Sequence, residues 1–255
     1  MANILEKYGI KEVADVTFYA LDSNGNIGAP VLFLDTLKVS TIEQTAESTD
    51  ARGGKGNPAL ISWDYGKEIT VTLEDALFSA KSMAIMFGNG TAATTTTGSI
   101  RKTVEWIATG TSAPSSIETT INGKKYTLTN VSIYTPSSTD ENTPASSNVT
   151  SVSSGETYYA TGYIDSKNIT EIEISANSFP GTYYVTGDTY ARAFNNGADE
   201  FFQFQIMKAK VQSENTITLE AEGDPSVFNM SLKVLRDKNG DMMKLVKYDL
   251  TTAEG

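Results

Sequence analysis

TAESTDARGGKGNPALISWDYGKEITVTLEDALFSAKSMAIMFG, residues 45–88, decides the fold. It reads in three parts. Residues 51–58 form a polar, glycine-rich loop carrying Arg52 and Lys55. Residues 67–74 alternate, with Ile69, Val71 and Leu73 on one face and Thr70, Thr72 and Glu74 on the other, which predicts a half-buried strand. Ala76, Leu77, Ala80, Met83, Ala84 and Phe87 then recur at helical spacing, which predicts a helix over about 75–87 with Asp75 as its N-cap and Gly88 at its end. RGGKGN, residues 52–57, invites comparison with a phosphate cradle. It lacks the Gly-Lys-Ser/Thr ending, and a strand pattern follows it where such a cradle needs a helix. The loop is therefore read as a contact segment that orders against a neighbour. Trp63 and Tyr65, just after it, are either packing residues at a strand start or aromatic anchors of a subunit interface.

Outward from this unit the chain reads as strands. Residues 13–21 and 27–34 flank Asn24-Gly25, a strong two-residue hairpin signal. Asp22, Asn24 and Asn26 imitate the start of a calcium loop, but the glycine is misplaced and Phe33 stands where a bidentate glutamate is needed, so no metal is expected. Residues 37–45 continue as a strand into the loop. Further strands are expected at 100–108, 126–134, 158–164, 169–175, 181–193, 200–211, 216–221, 228–235 and 242–250. Residues 92–99 read as a loop, 109–119 as a connector and 136–154 as an exposed Ser/Thr-rich loop or linker. Residues 3–8 read as one helical turn or a flexible arm.

Composition narrows the function. In 255 residues there is neither cysteine nor histidine, so thiolate zinc sites, disulfides and Ser-His or Cys-His catalysis are excluded. Twenty Lys and Arg against 31 Asp and Glu give 20 − 31 = −11, a charge that argues against general nucleic-acid binding. An acidic surface still suits a wall past which DNA must slide without sticking. The acidic neighbours Glu74/Asp75, Asp199/Glu200 and Glu220/Glu222 read as solvated faces, and no catalytic residue or cofactor is assigned. The N-terminus has no basic region followed by an apolar core, and no apolar run approaches the roughly 20 residues of a membrane span, so neither a secretory leader nor a membrane partner is expected.

Two runs carry a resemblance: DARGGKGNPALISWDYGKEITVTLEDALFSAKSMA, residues 50–84, and KAKVQSENTITLEAEGDPSVFNMSLKVLRDKNGDMMKLVKYDL, residues 208–250. Together they resemble tail tube (major tail) proteins of tailed bacteriophages, most closely those of large contractile-tailed phages. The resemblance implies a mostly β fold, an antiparallel β-sandwich or barrel with one flanking helix and a long loop. It implies hexameric rings of this chain stacked into a hollow tube that conducts DNA without specific binding. Other tail proteins, a sheath or tail terminator and a baseplate or tip, would be its partners. Its place would be the virion, after assembly in the host cytoplasm. Arg52, Gly53, Gly54, Lys55, Gly56 and Asn57 are then expected to make the contact between rings, and Asp35, Glu43, Glu68 and Glu74 to face the lumen. The chain is longer than simple tube proteins. Residues 110–166 are accordingly expected to be an insertion or small extra β module, set into a core formed by 1–109 and 167–255. Alternatives are another virion part, such as a tail-completion or head decoration protein, a non-enzymatic β-sandwich binding module, and a histidine-free carboxylate hydrolase.

Overall fold

A computed structural model describes residues 7–10, 12–88, 93–95, 97–137, 144–194, 197, 199–214, 217 and 227–248. Its strands, in chain order, are β1 (Tyr8–Ile10), β2 (Asp15–Leu21), β3 (Ile27–Leu34), β4 (Leu37–Arg52), β5 (Ala59–Asp75), β6 (Ala93–Thr95), β7 (Gly98–Ile107), β8 (Ser116–Ile121), β9 (Lys124–Pro136), β10 (Pro144–Val149), β11 (Thr157–Ser166), β12 (Ile169–Glu171), β13 (Thr182–Ala193), β14 (Asp199–Val211), β15 (Phe228–Leu235) and β16 (Met243–Tyr248). The helix α1 (Ala80–Phe87) follows β5. The protein is thus mostly β, antiparallel, with one described helix, as the sequence predicts. All but Ile217 of the expected strand at 216–221, and most of the segment 3–8, lie outside the described residues.

The chain divides into two units, Met1–Ala92 with Ile172–Gly255, and Ala93–Glu171. The first holds a nine-stranded sheet in the order β3-β2-β13-β14-β15-β5-β4, with β1 paired to β13 and β16 to β14. Strands β3 and β4 stand at opposite ends of this order, yet only Asp35 and Thr36 join them. Two residues span less than about 10 Å, so the sheet must curl round until its ends meet. The curl encloses a single core. Val16, Phe18, Leu34, Leu37, Val71, Leu73, Ile206, Phe228, Met230 and Leu232 line it, and Ile85 and Met86 of α1 belong to the same cluster. Each large side chain so buried contributes about 1.5–3 kcal/mol over an exposed one.

The helix is shorter than its apolar spacing suggests, and its start differs. Asp75 is not the N-cap. It ends β5, is 2% exposed, and accepts hydrogen bonds from Thr36 Oγ1 at 2.5 Å and the Leu77 N–H at 3.2 Å, which ties the β3–β4 turn to the end of β5. Ser79 caps the helix instead, its hydroxyl accepting from the Ser82 N–H at 2.9 Å while the Ser79 N–H donates to Ser82 Oγ at 3.1 Å. The serine pair outcompetes Asp75 because that carboxylate is already committed across the sheet. Gly88 closes the helix at φ 94°, where a Cβ would lie 2.6 Å from the carbonyl carbon of Phe179.

The second unit holds a five-stranded sheet, β10-β9-β11-β7 with β8 beside β9, and the short ribbon β12-β6. Its own core gathers Ala108, Ile117, Leu128, Ile133, Val152, Tyr158 and Ala160. Strand β7, grouped by sequence with the larger domain, pairs over its full length with β11, so the division falls at 93 and 171 where the sequence reading put it at 110 and 166. Residues 144–149, read as part of a polar linker, form a strand against β9, and Ser116–Ile121 of the expected connector pairs with β9 as well. Residues 93–95, within the expected loop 92–99, pair with 169–171, where the expected strand 169–175 ends early. Residues 93–95 and 144–149 lack apolar alternation, and backbone pairing to a neighbour determines them, whereas Ser116–Ile121 carries a short alternation that buries Ile117.

Candidate assembly surface

Strands β4 and β5, 16 and 17 residues long, are the longest in the protein, and they pair with each other from Leu37–Asp75 to Arg52–Ala59. Only one end of this ladder belongs to the core. Ile69, Val71, Leu73 and Asp75 are buried, whereas all of residues 59–68 on β5 are exposed, and so are 41–50 on β4. The expected loop is therefore the tip of a two-stranded arm, with β5 beginning at Ala59 and not at 67. From the Thr45–Glu68 pair to Arg52 the arm extends for about 25 Å at the rise of a β-strand.

At the tip, the Gly53 N–H donates to the Pro58 carbonyl at 3.3 Å and the Asn57 N–H to the Gly54 carbonyl at 3.2 Å. The Arg52 guanidinium holds the Asp50 carboxylate at 2.6 Å. Lys55 is exposed and has no ion pair among the described residues. The six residues Arg52–Asn57 thus form an ordered turn closing a ladder.

The arm does not repeat the facing of the strand it continues. Thr45 opposes Glu68, but Glu47 opposes Tyr65, so Ala46 faces two residues, Gly66 and Lys67. This is a β-bulge, and Gly66 sits in it at φ 62°. One extra residue exchanges the faces of everything beyond it. Ile61, Trp63 and Tyr65 would otherwise continue the core face of Ile69 and Val71. They stand instead on the opposite face, with Glu43, Thr45, Glu47 and Glu68. Trp63 is 52% exposed and Tyr65 53%, which removes the packing reading of these two aromatics. Leu60 and Ile61 are more exposed still. Four large apolar side chains on one exposed ribbon exceed the scattered single residues normal for a surface.

Of the expected lumen acids, Glu43, Glu68 and Glu74 share the solvent face of the sheet, since they oppose Thr70, Thr45 and Asn229. Asp35 lies in the β3–β4 turn, exposed and off that face. Sequence reasoning missed what stands beside them. Lys233 opposes Thr70 on one side and Lys210 on the other, and its ammonium meets Glu68 Oε1 at 2.7 Å. Lys208 lies two residues before Lys210 on β14. The face therefore carries an acidic flank and a basic centre. The signal was present as the alternation Lys208, Lys210, but an extra residue at Met207–Lys208 shifts the pairing with β13 and hides the phase.

Two hairpin turns complete this end of the sheet. Asp22 Oδ1 accepts from the N–H groups of Asn24 and Asn26, and Asp237 Oδ1 accepts in the same way from Asn239 and Asp241, all at 2.8 Å. The backbone hydrogen bond from Asn26, and then its side chain, hold the Asp22 carboxyl below its ordinary value. The calcium-like spacing around Asp22 thus closes a turn on itself. Among the described residues no group of three or more acidic side chains is placed to hold a metal ion, and no helix is long and apolar enough to cross a membrane.

No curated protein matches the chain. The model of the YomU/Tube protein family matches residues 8–245, which takes in both units and the whole arm. A structural tube protein family is typically non-enzymatic. The chain belongs to the YomU/Tube protein family, and this makes it a phage tube protein and a component of the virion tail.

Proposed function

We propose that the protein forms rings, most simply hexamers, that stack into the tail tube and conduct DNA at ejection. The observation that carries the stacking is the arm: a two-stranded ribbon of about 25 Å with Leu60, Ile61, Trp63 and Tyr65 exposed along it. A free monomer gains nothing from that apolar surface, and a repeating contact along an axis would bury it. Residues Arg52–Asn57 form the leading end of this contact, and Trp63 and Tyr65 its anchors. Strands β3 and β4 end the sheet and offer unpaired edges, which would pair between neighbours within a ring.

For the bore, Glu43 and Glu74 supply the repulsion that keeps DNA phosphates from adhering, and Asp35, off their face, adds to it only where the β3–β4 turn reaches the lumen. Glu68 contributes less, because Lys233 neutralises it at 2.7 Å. The Ala93–Glu171 unit, with its own sheet and core, serves as a small extra β module.

Negative-stain microscopy of the purified protein tests the reading. Rings or tubes are expected, and deletion of Arg52–Asn57 should leave the circular dichroism unchanged while abolishing stacking. A persistent monomer across concentration and salt would refute the assembly, and normal tubes from the deletion would refute the axial role of the tip.

A further inference from the structure

A hollow of about 260 Å³ lies between the turns Asp22–Asn26 and Asp237–Asp241. Lys208, Arg236 and Lys238 line it together with Thr182 and Met207. None of the three cations has an ion pair among the described residues. The two aspartates in its wall turn their carboxylate oxygens into their own turns. In a chain of charge −11, this is a concentrated and unused basic site.

Strand direction fixes where the hollow stands relative to the arm. Strand β2 is antiparallel to β13, which is antiparallel to β14, then β15, β5 and β4 in turn. Five successive reversals after β2 make β4 run opposite to β2. The end of β2 enters the Asp22 turn beside the hollow, and the end of β4 enters the arm. The other wall of the hollow follows the end of β15, which runs parallel to β4, and Lys208 opposes Leu235, two residues beyond Lys233 with its partner Glu68, so the hollow stands near the base of the arm and away from its tip.

Their chemistry is complementary. The arm carries Glu47 and Asp64, both exposed and without an ion pair among the described residues. Glu47 directly opposes Tyr65, with Trp63 two residues further along the same face. Asp64 projects from the reverse face, opposite Ser48. Acidic groups flanking an indole and a phenol ring suit a socket of lysine and arginine, which pairs with carboxylates and stacks on aromatic faces. The hollow falls below the roughly 300 Å³ at which small-molecule sites begin, and it is of a size for side chains from a partner.

We propose that the socket formed by Lys208, Arg236 and Lys238 receives the Glu47–Trp63–Asp64–Tyr65 segment of the arm from a second copy of this chain. The contact joins two different surfaces, so it can repeat from ring to ring along an axis. This inference rests on the stacked-ring reading and adds the receiving surface to it. It also makes stacking salt-sensitive, since steering between a basic socket and an acidic arm weakens as ionic strength rises.

Charge exchange tests it. Three variants are compared with wild type by sedimentation and microscopy across concentration: Lys208→Glu with Arg236→Glu and Lys238→Glu, Glu47→Lys with Asp64→Lys, and all five together. Each three- or two-residue variant is expected to fold by circular dichroism and to need about tenfold or more protein to stack. The five-fold variant should regain most of the wild-type threshold. A socket variant that stacks like wild type, or a five-fold variant no better than its parents, overturns the assignment of the socket and leaves the tube reading standing. Wild-type protein that forms no rings or tubes overturns the tube reading itself. Inorganic phosphate at millimolar concentration, added to wild type, should not dissociate tubes more than sodium chloride of equal ionic strength. Specific dissociation by phosphate would assign the site to a small anion and overturn the arm as its occupant.

Discussion

Inserting one alanine into β4 after Ala46 gives Gly66 and Lys67 a partner each and removes the bulge. Glu47–Arg52 and Ala59–Tyr65 then exchange faces, while residues up to Ala46 and from Lys67 onward keep theirs. Ile61, Trp63 and Tyr65, together with Glu47, leave the face shared with Glu43 and Glu68, and Leu60, Ser62 and Asp64 replace them. The three departing side chains are 55%, 52% and 53% exposed. Side chains of this class present about 150–250 Å² each, so about 100 Å² apiece remains to be buried by a partner. At about 25 cal/mol per Å² the three are worth roughly 7 kcal/mol gross. If about a third survives the costs of association, the loss is about 2 kcal/mol, some thirtyfold in the constant for each contact. Because the contact repeats along a stack, assembly should fail at concentrations where wild type forms tubes. The core is untouched, so the melting temperature of the insertion variant should stay within a few degrees of wild type. Gly66→Ala is the matched control. Nothing lies within 4 Å of the Cβ it adds, so its cost is that of an L-residue at φ 62°, about 1–2 kcal/mol locally, with every face preserved. Calorimetry and sedimentation across a concentration series read both quantities. Tubes from the insertion variant at the wild-type threshold would refute the claim that the bulge sets the contact face.

Two further outcomes follow from the packing. Gly88→Ala adds a Cβ at φ 94° and 2.6–2.9 Å from three backbone atoms of Phe179, so thermal unfolding should show a loss of about 2 kcal/mol or more, and a variant as stable as wild type would contradict this close approach. Burial beside Phe18 pushes the Tyr183 phenol above its ordinary value of 10.0; folded and unfolded chains are both protonated below that pH, so stability is unaffected there and falls as pH rises through 10 and beyond, where the unfolded chain ionises first. Melting curves from pH 8 to 11 should therefore fall more steeply for wild type than for Tyr183→Phe, and equal slopes would refute the assignment.

The sequence by itself determined the elements whose burial is written in their own spacing. Ile69, Val71 and Leu73 alternate, Phe202, Phe204 and Ile206 alternate, and Asn24-Gly25 marks its turn, because side chains of a half-buried strand must repeat every second residue. The absence of cysteine and histidine removed whole classes of chemistry, and the two runs flanking the fold were enough to indicate the tube family. Tertiary structure decided what depends on a partner strand. Residues 144–149 hold no apolar pattern and become a strand only against β9. Asp75 looks like a helix cap until Thr36, thirty-nine residues earlier, takes its carboxylate. Trp63 and Tyr65 have the parity of core residues in the linear sequence, and only the register with β4 reveals the inserted residue at Gly66 that turns them to solvent. A strand's phase is a local property that breaks silently at a bulge, and the bulge itself is defined by two strands together. For that reason the strands at the arm's base and the turn at its tip were legible from the chain, and the arm's length and the face it offers to a neighbour were not.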